Sequence, residues 1–97
     1  MTYKQKYNLI LKSIKEKSKE ILPPGSRVVL YGSRARGDFN EESDWDIHIL
    51  IPGQERLTLV ETNKYAYPFQ FLGWNYCESI MPSIYSYGDW EKLKAIP

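Results

Sequence analysis

One cysteine, Cys77, stands in the 97 residues, and that excludes an intrachain disulfide. A lone thiol suits a reducing, cytoplasmic setting, and Cys77 is expected to be a small buried apolar residue. Long hydrophobic runs are missing as well. The longest apolar stretches, Val28–Tyr31 and Ile47–Ile51, fall far short of the roughly 20 residues that a membrane span needs, so no membrane association is expected. The first residues, Met-Thr-Tyr-Lys-Gln-Lys, carry no apolar stretch of the kind that a secretory leader has. Net charge is nearly absent at +1, which argues against a chain built mainly to grip nucleic acid backbone. Repeats and low-complexity segments are absent too. What is there, 42% hydrophobic and 26% charged residues, is ordinary for a globular protein. The length allows one core, so residues 1–97 are read as a single domain.

Along the chain, Tyr7, Ile10, Leu11, Ile14, Ser18, Ile21 and Leu22 recur at three- and four-residue spacing, predicting a helix with one apolar face. Six of the thirteen basic residues, Lys4 to Lys19, fall in this segment with Glu16 and Glu20 between them, and they read as its solvated face. Pro23-Pro24-Gly25 stops the helix. Arg27–Tyr31 suits a buried central strand. It ends in Gly32-Ser33, and the polar segment from Arg34 to Ser43 predicts a turn around a short helical stretch. From Asp44 to Ile51 the alternation is strict: Trp45, Ile47, Ile49 and Ile51 face the core, while Asp44, Asp46, His48 and Leu50 share the other face. Residues 55–72 have rough helical spacing at Leu57, Val60, Lys64, Tyr67 and Phe71, with Pro68 expected to kink or split any helix. Asn75–Met81 reads as a third strand with Tyr76, Glu78 and Ile80 on one face, and Ser83–Tyr87 as a fourth. A last helix opens at Tyr87 and is cut off at Pro97, as in a piece of a slightly longer protein.

The candidate chemistry begins with Asp44 and Asp46. Two carboxylates two apart on a strand project from one face, where their oxygens can reach one or two hard cations. Alone, such a pair is more often solvated charge than a site. Here a strand ending in Gly32-Ser33 precedes it. Glycine lets a phosphate approach the backbone closely, and the serine hydroxyl and turn amides can donate to phosphate oxygens. A phosphate cradle beside a carboxylate pair is equipment for metal-assisted phosphoryl-type transfer.

Gly32-Ser33-Arg34-Ala35-Arg36-Gly37-Asp38 followed by Ser43-Asp44-Trp45-Asp46-Ile47 resembles the Gly-Ser … Asp-x-Asp signature of the DNA-polymerase-beta superfamily, in the wording of its minimal nucleotidyltransferases. The signature covers residues 32–47, and the element order extends the likeness to the first half of the chain. The resemblance implies an α/β (α+β) nucleotidyltransferase fold, a mixed sheet of about four strands flanked by helices. It implies Mg²⁺ held by Asp44 and Asp46, with a third carboxylate on a following strand. Glu78 in Cys77-Glu78-Ser79-Ile80-Met81-Pro82 fits that position, with Glu where the family usually has Asp. Asp89 is the rival acid but reads better as a helix N-cap. Gly32 and Ser33 are expected to hold nucleotide phosphates, and Arg34 or Arg36 to neutralise leaving-group charge. His48 is expected to be a packed strand histidine, Glu41 and Glu42 solvated turn charges, and Ser43 a cap on the turn into the aspartates.

The implied activity is transfer of a nucleoside monophosphate, AMP from ATP, to an acceptor hydroxyl through two Mg²⁺ ions. The chain has no length for a separate acceptor-binding domain, so the acceptor is expected on this domain, another copy (a homo-oligomer) or a separate protein. In the minimal branch the usual partner is a HEPN-type helical protein in a toxin–antitoxin pair. A partner-binding module without catalysis, and transfer to a small molecule, are the alternatives. The second half also carries Tyr65, Tyr67, Phe69, Phe71, Trp74, Tyr76, Tyr85, Tyr87 and Trp90. That is more aromatic surface than one small core can hold, so a partner surface or base-stacking ledge is expected.

Overall fold

The computed structural model describes residues 1–95. Helix α1, Tyr3–Ile21, starts where the sequence supplies a capping box: Thr2 accepts the Gln5 N–H, and the Gln5 side chain accepts the Thr2 N–H. Its apolar stripe buries Ile10 and Ile14, and on its wet side Lys12–Glu16 and Lys17–Glu20 pair along the surface. Strand β1, Arg27–Tyr31, runs antiparallel to β2, Trp45–Ile51, and β3, Ile80–Ser86, runs parallel to β2. Between them lie the short α2, Ser33–Arg36, and the long α3, Leu59–Asn75; α4, Tyr87–Lys94, follows β3 directly. The sheet order is β1-β2-β3 among the described residues. This is the expected mixed sheet flanked by helices, with three strands rather than about four.

The core lies on the odd-numbered face of β2. Trp45, Ile47, Ile49 and Ile51 are buried there against Ile10 and Ile14 of α1, Phe69 of α3 and Ile80 and Ile84 of β3. Sequence alternation alone places that face correctly. Three expectations change. β1 is an edge strand with Arg27, Val29 and Tyr31 exposed, not a buried central one. Pro68 neither splits nor ends α3, which runs 17 residues from a second capping box at Thr58 and Glu61. The two strands expected over 75–81 and 83–87 are one strand, because α3 holds the chain to Asn75 and Pro82 is accommodated inside β3. Cys77 therefore sits on the turn between α3 and β3, exposed and with φ of 57°, instead of buried. The last helix opens at Tyr87 as expected, and its expected run to Pro97 passes outside the described residues. No described helix is long and apolar enough to cross a membrane.

Candidate functional site

The even-numbered face of the sheet carries the chemistry. Asp46 is register partner to Tyr31 on β1 and to Met81 on β3, and His48 to Val29 and Ser83. Register partners share a face, so these side chains form one surface opposite the core. Asp46 is half-buried on it, and Asp44, just before β2, is exposed. Neither carboxylate has a salt-bridge or side-chain hydrogen-bond partner among the described residues.

Gly32 sits directly against Asp46. It caps α2 with φ of 75° and ψ of −155°, a conformation nearly closed to residues with a Cβ. A Cβ built there would lie 2.5 Å from Asp46 Oδ2. The absence of a side chain is thus what lets the turn come up to the carboxylate. The amides of Ser33 and Arg34, in the first turn of α2, have no intrahelical acceptor and remain free to donate. Gly32 and Asp46 are thus brought into contact, with Ser33 next to the first and Asp44 two residues before the second.

Arg34 and Glu78 are not brought to that cluster. The Arg34 side chain is 0% exposed and that of Glu78 7%, and the two pair at 3.3 Å. Glu78 Oε1 also accepts from Trp45 Nε1 at 2.9 Å and Tyr3 Oη at 3.3 Å, and Oε2 from Lys6 Nζ at 3.2 Å. Because Trp45 belongs to the core face, this network lies across the sheet from Asp46. The role of third metal carboxylate therefore does not suit Glu78: every direction of its carboxylate is taken. Among the described residues no three His, Cys, Asp or Glu side chains form a cluster able to hold a metal. Burial alone pushes the Glu78 carboxyl up, but the bonds from Trp45 and Lys6 and the charges of Lys6 and Arg34 outweigh it and hold it below its ordinary value.

Arg34 likewise faces inward rather than toward a phosphate. Its guanidinium lies 4.3 Å from the Trp45 ring centroid and 4.9 Å from that of Phe39, and Nη2 donates to the Ser43 carbonyl at 2.8 Å. Nε and Nη1 are buried without a hydrogen-bond partner, facing aromatic surface instead. Arg34 ties the Gly32-Ser33 turn to the residue just before Asp44. It is a positioning residue, joining two halves of the signature that are separated in sequence. Ser43 fills the turn role expected of it, its Oγ accepting the Asn40 N–H at 2.9 Å. Arg36 stays on the surface, 3.4 Å from Asp38, and is free to swing toward a ligand.

His48 packs among Tyr31, Tyr85 and Trp90, the last at 4.3 Å between centroids and edge-on. Burial lowers its pKa below 6.5. It is the packed strand histidine expected. Asp89 is not an N-cap: Ser86 caps α4, and the Asp89 N–H donates to its Oγ. Lys6, Tyr3 and Trp45, the partners of Glu78, carry no sequence signal, since they lie 33 to 75 residues away from it in the chain. A groove of about 570 Å³ between α1 and β1, floored by Leu11, Ile14, Val28 and Ile47, is largely apolar and is lined by none of Gly32, Ser33, Arg34, Asp44 and Asp46.

Comparison with known proteins gives a family and a relative. The profile of the nucleotidyltransferase domain matches residues 9–80. A proposed protein adenylyltransferase of Methanocaldococcus jannaschii is 46% identical over 56 residues, 57% of this chain and 54% of that protein. The match thus spans about half the length of the curated relative. No solved structure matches the chain significantly.

Proposed function

The chain belongs to the nucleotidyltransferase domain family, and from that membership we propose that it transfers AMP from ATP to a hydroxyl on a partner protein. The observation that carries this reading is the close seating of Gly32 against Asp46, with Asp44 two residues before it and neither carboxylate paired with a cation among the described residues. The name borne by the Methanocaldococcus relative supports a protein acceptor and an adenylyl donor. A small helical protein of the HEPN type, in a toxin–antitoxin pair, is the acceptor proposed.

Asp44 and Asp46 fit Mg²⁺, which takes one or two carboxylates and leaves its other positions to water and substrate phosphates. When bound there, the ion would neutralise phosphate charge and orient the α-phosphate for attack. The chain's own groups do the rest. Ser33 Oγ and the first-turn amides of α2 hold the β- and γ-phosphates. Arg36 offsets the charge of the leaving pyrophosphate. Arg34 keeps the phosphate turn and the aspartate strand at fixed separation. The acceptor oxygen bonds to the α-phosphorus as the bond to pyrophosphate breaks, and the hydroxyl proton is released to solvent, Glu78 being fully engaged elsewhere.

One observation favours a second reading. The β3 residues that share the Asp46 face nearest it are Met81 and Ser83, so a two-carboxylate site lacks the third acid of the family signature. A partner-binding module on the same fold would show this. Incubation with Mg²⁺ and ATP labelled at the α-phosphate, with and without lysate, separates the two. Label on a protein band with the wild type and none with the Asp44→Asn/Asp46→Asn double variant supports transfer. Absence of both label and Mg-ATP binding by calorimetry leaves the binding module.

A further inference from the structure

The outer face of α3 is built like an interface. Val60, Lys64, Tyr67, Phe71 and Trp74 follow one another at spacings of four, three, four and three, a stripe opposite the buried Phe69 and Gly73. Tyr67 is 56% exposed, Phe71 50% and Trp74 60%. Their rings adjoin at 6.1 to 6.4 Å between centroids, forming one continuous aromatic patch. No charged residue occurs from Tyr65 to Cys77. Single exposed apolar residues are ordinary, but a contiguous aromatic stripe on a helix that already buries its other face is not. Nucleic acid is a poor occupant, since base stacking works beside a basic groove and this stripe holds one lysine.

We infer that this stripe is the dimerisation surface for a second copy of the same chain, with two α3 helices packed antiparallel. The 4-3 spacing is that of helices crossing at about 20°. Antiparallel pairing about a dyad level with Phe69 sets Tyr67 against the partner's Phe71, and Lys64 against the partner's Trp74. The one cation of the stripe then lies over an aromatic face, the favourable cation–π arrangement, and the pattern is complementary to itself, as a two-fold interface must be. The area suits a second copy too. Half-exposed aromatics offer roughly 100 Å² each, so with Val60 and the Lys64 stem each copy would bury on the order of 400–500 Å². The total of about 800–1,000 Å² falls in the size range of weak, transient interfaces, so a weak dimer is expected. The stripe lies across the core from Asp46, so both nucleotide faces stay open.

Sedimentation velocity on the full chain, over about 1 to 500 µM, tests this. The wild type is expected to move from its 11.4 kDa monomer mass toward twice that value. Phe71→Glu is expected to stay monomeric throughout, with the circular dichroism spectrum unchanged because half of the ring faces solvent and the residue is outside the core cluster. Lys64→Glu is expected to weaken Kd about tenfold and Lys64→Arg to leave it within about twofold, the signature of a cation over a ring. Trp74 would also lose access to iodide quenching as the dimer forms, in a variant that keeps the native stripe. A wild type that remains monomeric at every concentration overturns the inference and leaves the stripe to a different protein. A dimer that survives Phe71→Glu, or a Kd unmoved by Lys64→Glu, overturns it as well.

Discussion

Gly32 is the residue on which the phosphate turn depends, for two separable reasons. Its φ of 75° is strained for any side chain, and a Cβ would stand 2.5 Å from Asp46 Oδ2. Backbone strain of this kind costs about 1–3 kcal/mol, and the overlap adds to it unless Asp46 swings away. Gly32→Ala is therefore expected to lower stability by about 2 kcal/mol in urea denaturation and to weaken Mg-ATP binding at least tenfold in calorimetry. Loss of stability with unchanged nucleotide affinity would mean that the turn does not meet the nucleotide. Glu78 is expected to behave oppositely. Glu78→Gln strands the buried Arg34 charge, and removing one partner of a buried pair costs about 3–5 kcal/mol. The retained amide oxygen still accepts from Trp45, so about 3 kcal/mol is expected, with affinity for nucleotide changed only through folding. The acid dependence follows from the lowered Glu78 pKa. A carboxyl held lower in the folded state contributes stability above its ordinary value near 4.5, and the contribution is lost as pH falls through that value toward the folded one. The wild type should lose stability over that range more steeply than Glu78→Gln, which carries no titrating group there. Parallel curves would remove Glu78 from the account. In sequence, Glu78 is one acid near one strand, and only the packing of Tyr3, Lys6, Arg34 and Trp45 around it reveals an internal counter-ion. Asp44, Asp46, Gly32 and Ser33 were legible because their spacing and the strand alternation fix their face without any tertiary contact.

Elements differ in how much of themselves they announce. β2 reads cleanly because one side is core and the other is not, so its period of two survives. α3 does not, because apolar residues occupy both its faces: Phe69 and Gly73 against the sheet, Tyr67, Phe71 and Trp74 outside. Its spacing was visible, but the side on which the spaced residues lie was not: Val60, Lys64, Tyr67 and Phe71 are exposed, while Leu57, ahead of the helix, packs against the core. β3 was obscured by the same helix, whose extension to Asn75 displaces the strand by five residues from its expected start. Gly73 sets how closely these two elements pass. A Cβ there would meet the Glu78 carbonyl oxygen at 2.9 Å and the Ile80 amide nitrogen at 3.0 Å, both backbone atoms that cannot rotate aside. Alanine gains about 1 kcal/mol of helix propensity over glycine, whereas overpacking costs about 1–3 kcal/mol. The packing cost is expected to win, so Gly73→Ala should be net destabilising by about 1 kcal/mol in thermal unfolding. A stabilised variant would show that α3 lifts freely from β3.

At the scale of the molecule the sheet works as a partition. One face carries the core, with α1 and α3 laid over it and the aromatic stripe outermost; the other carries Asp46, His48 and the packing of Trp90. The two outward surfaces are separated by a full layer of packed side chains and share no residue. Changes at distant sites without common partners add within about 0.5 kcal/mol. The dimer surface and the nucleotide site are accordingly expected to be thermodynamically independent. Phe71→Glu should leave the calorimetric affinity for Mg-ATP within about twofold of the wild type, and Asp44→Asn/Asp46→Asn should leave the dimer Kd within the same margin. Saturating Mg-ATP should likewise leave the wild-type dimer Kd unchanged, because linkage requires nucleotide to shift dimerisation by the same factor as dimerisation shifts nucleotide affinity. A Phe71→Glu variant that loses nucleotide affinity while remaining fully folded would mean that α3 carries the state of one face to the other. The route for that would be the α3–β3 crossing at Gly73, where helix backbone and strand backbone are in direct contact.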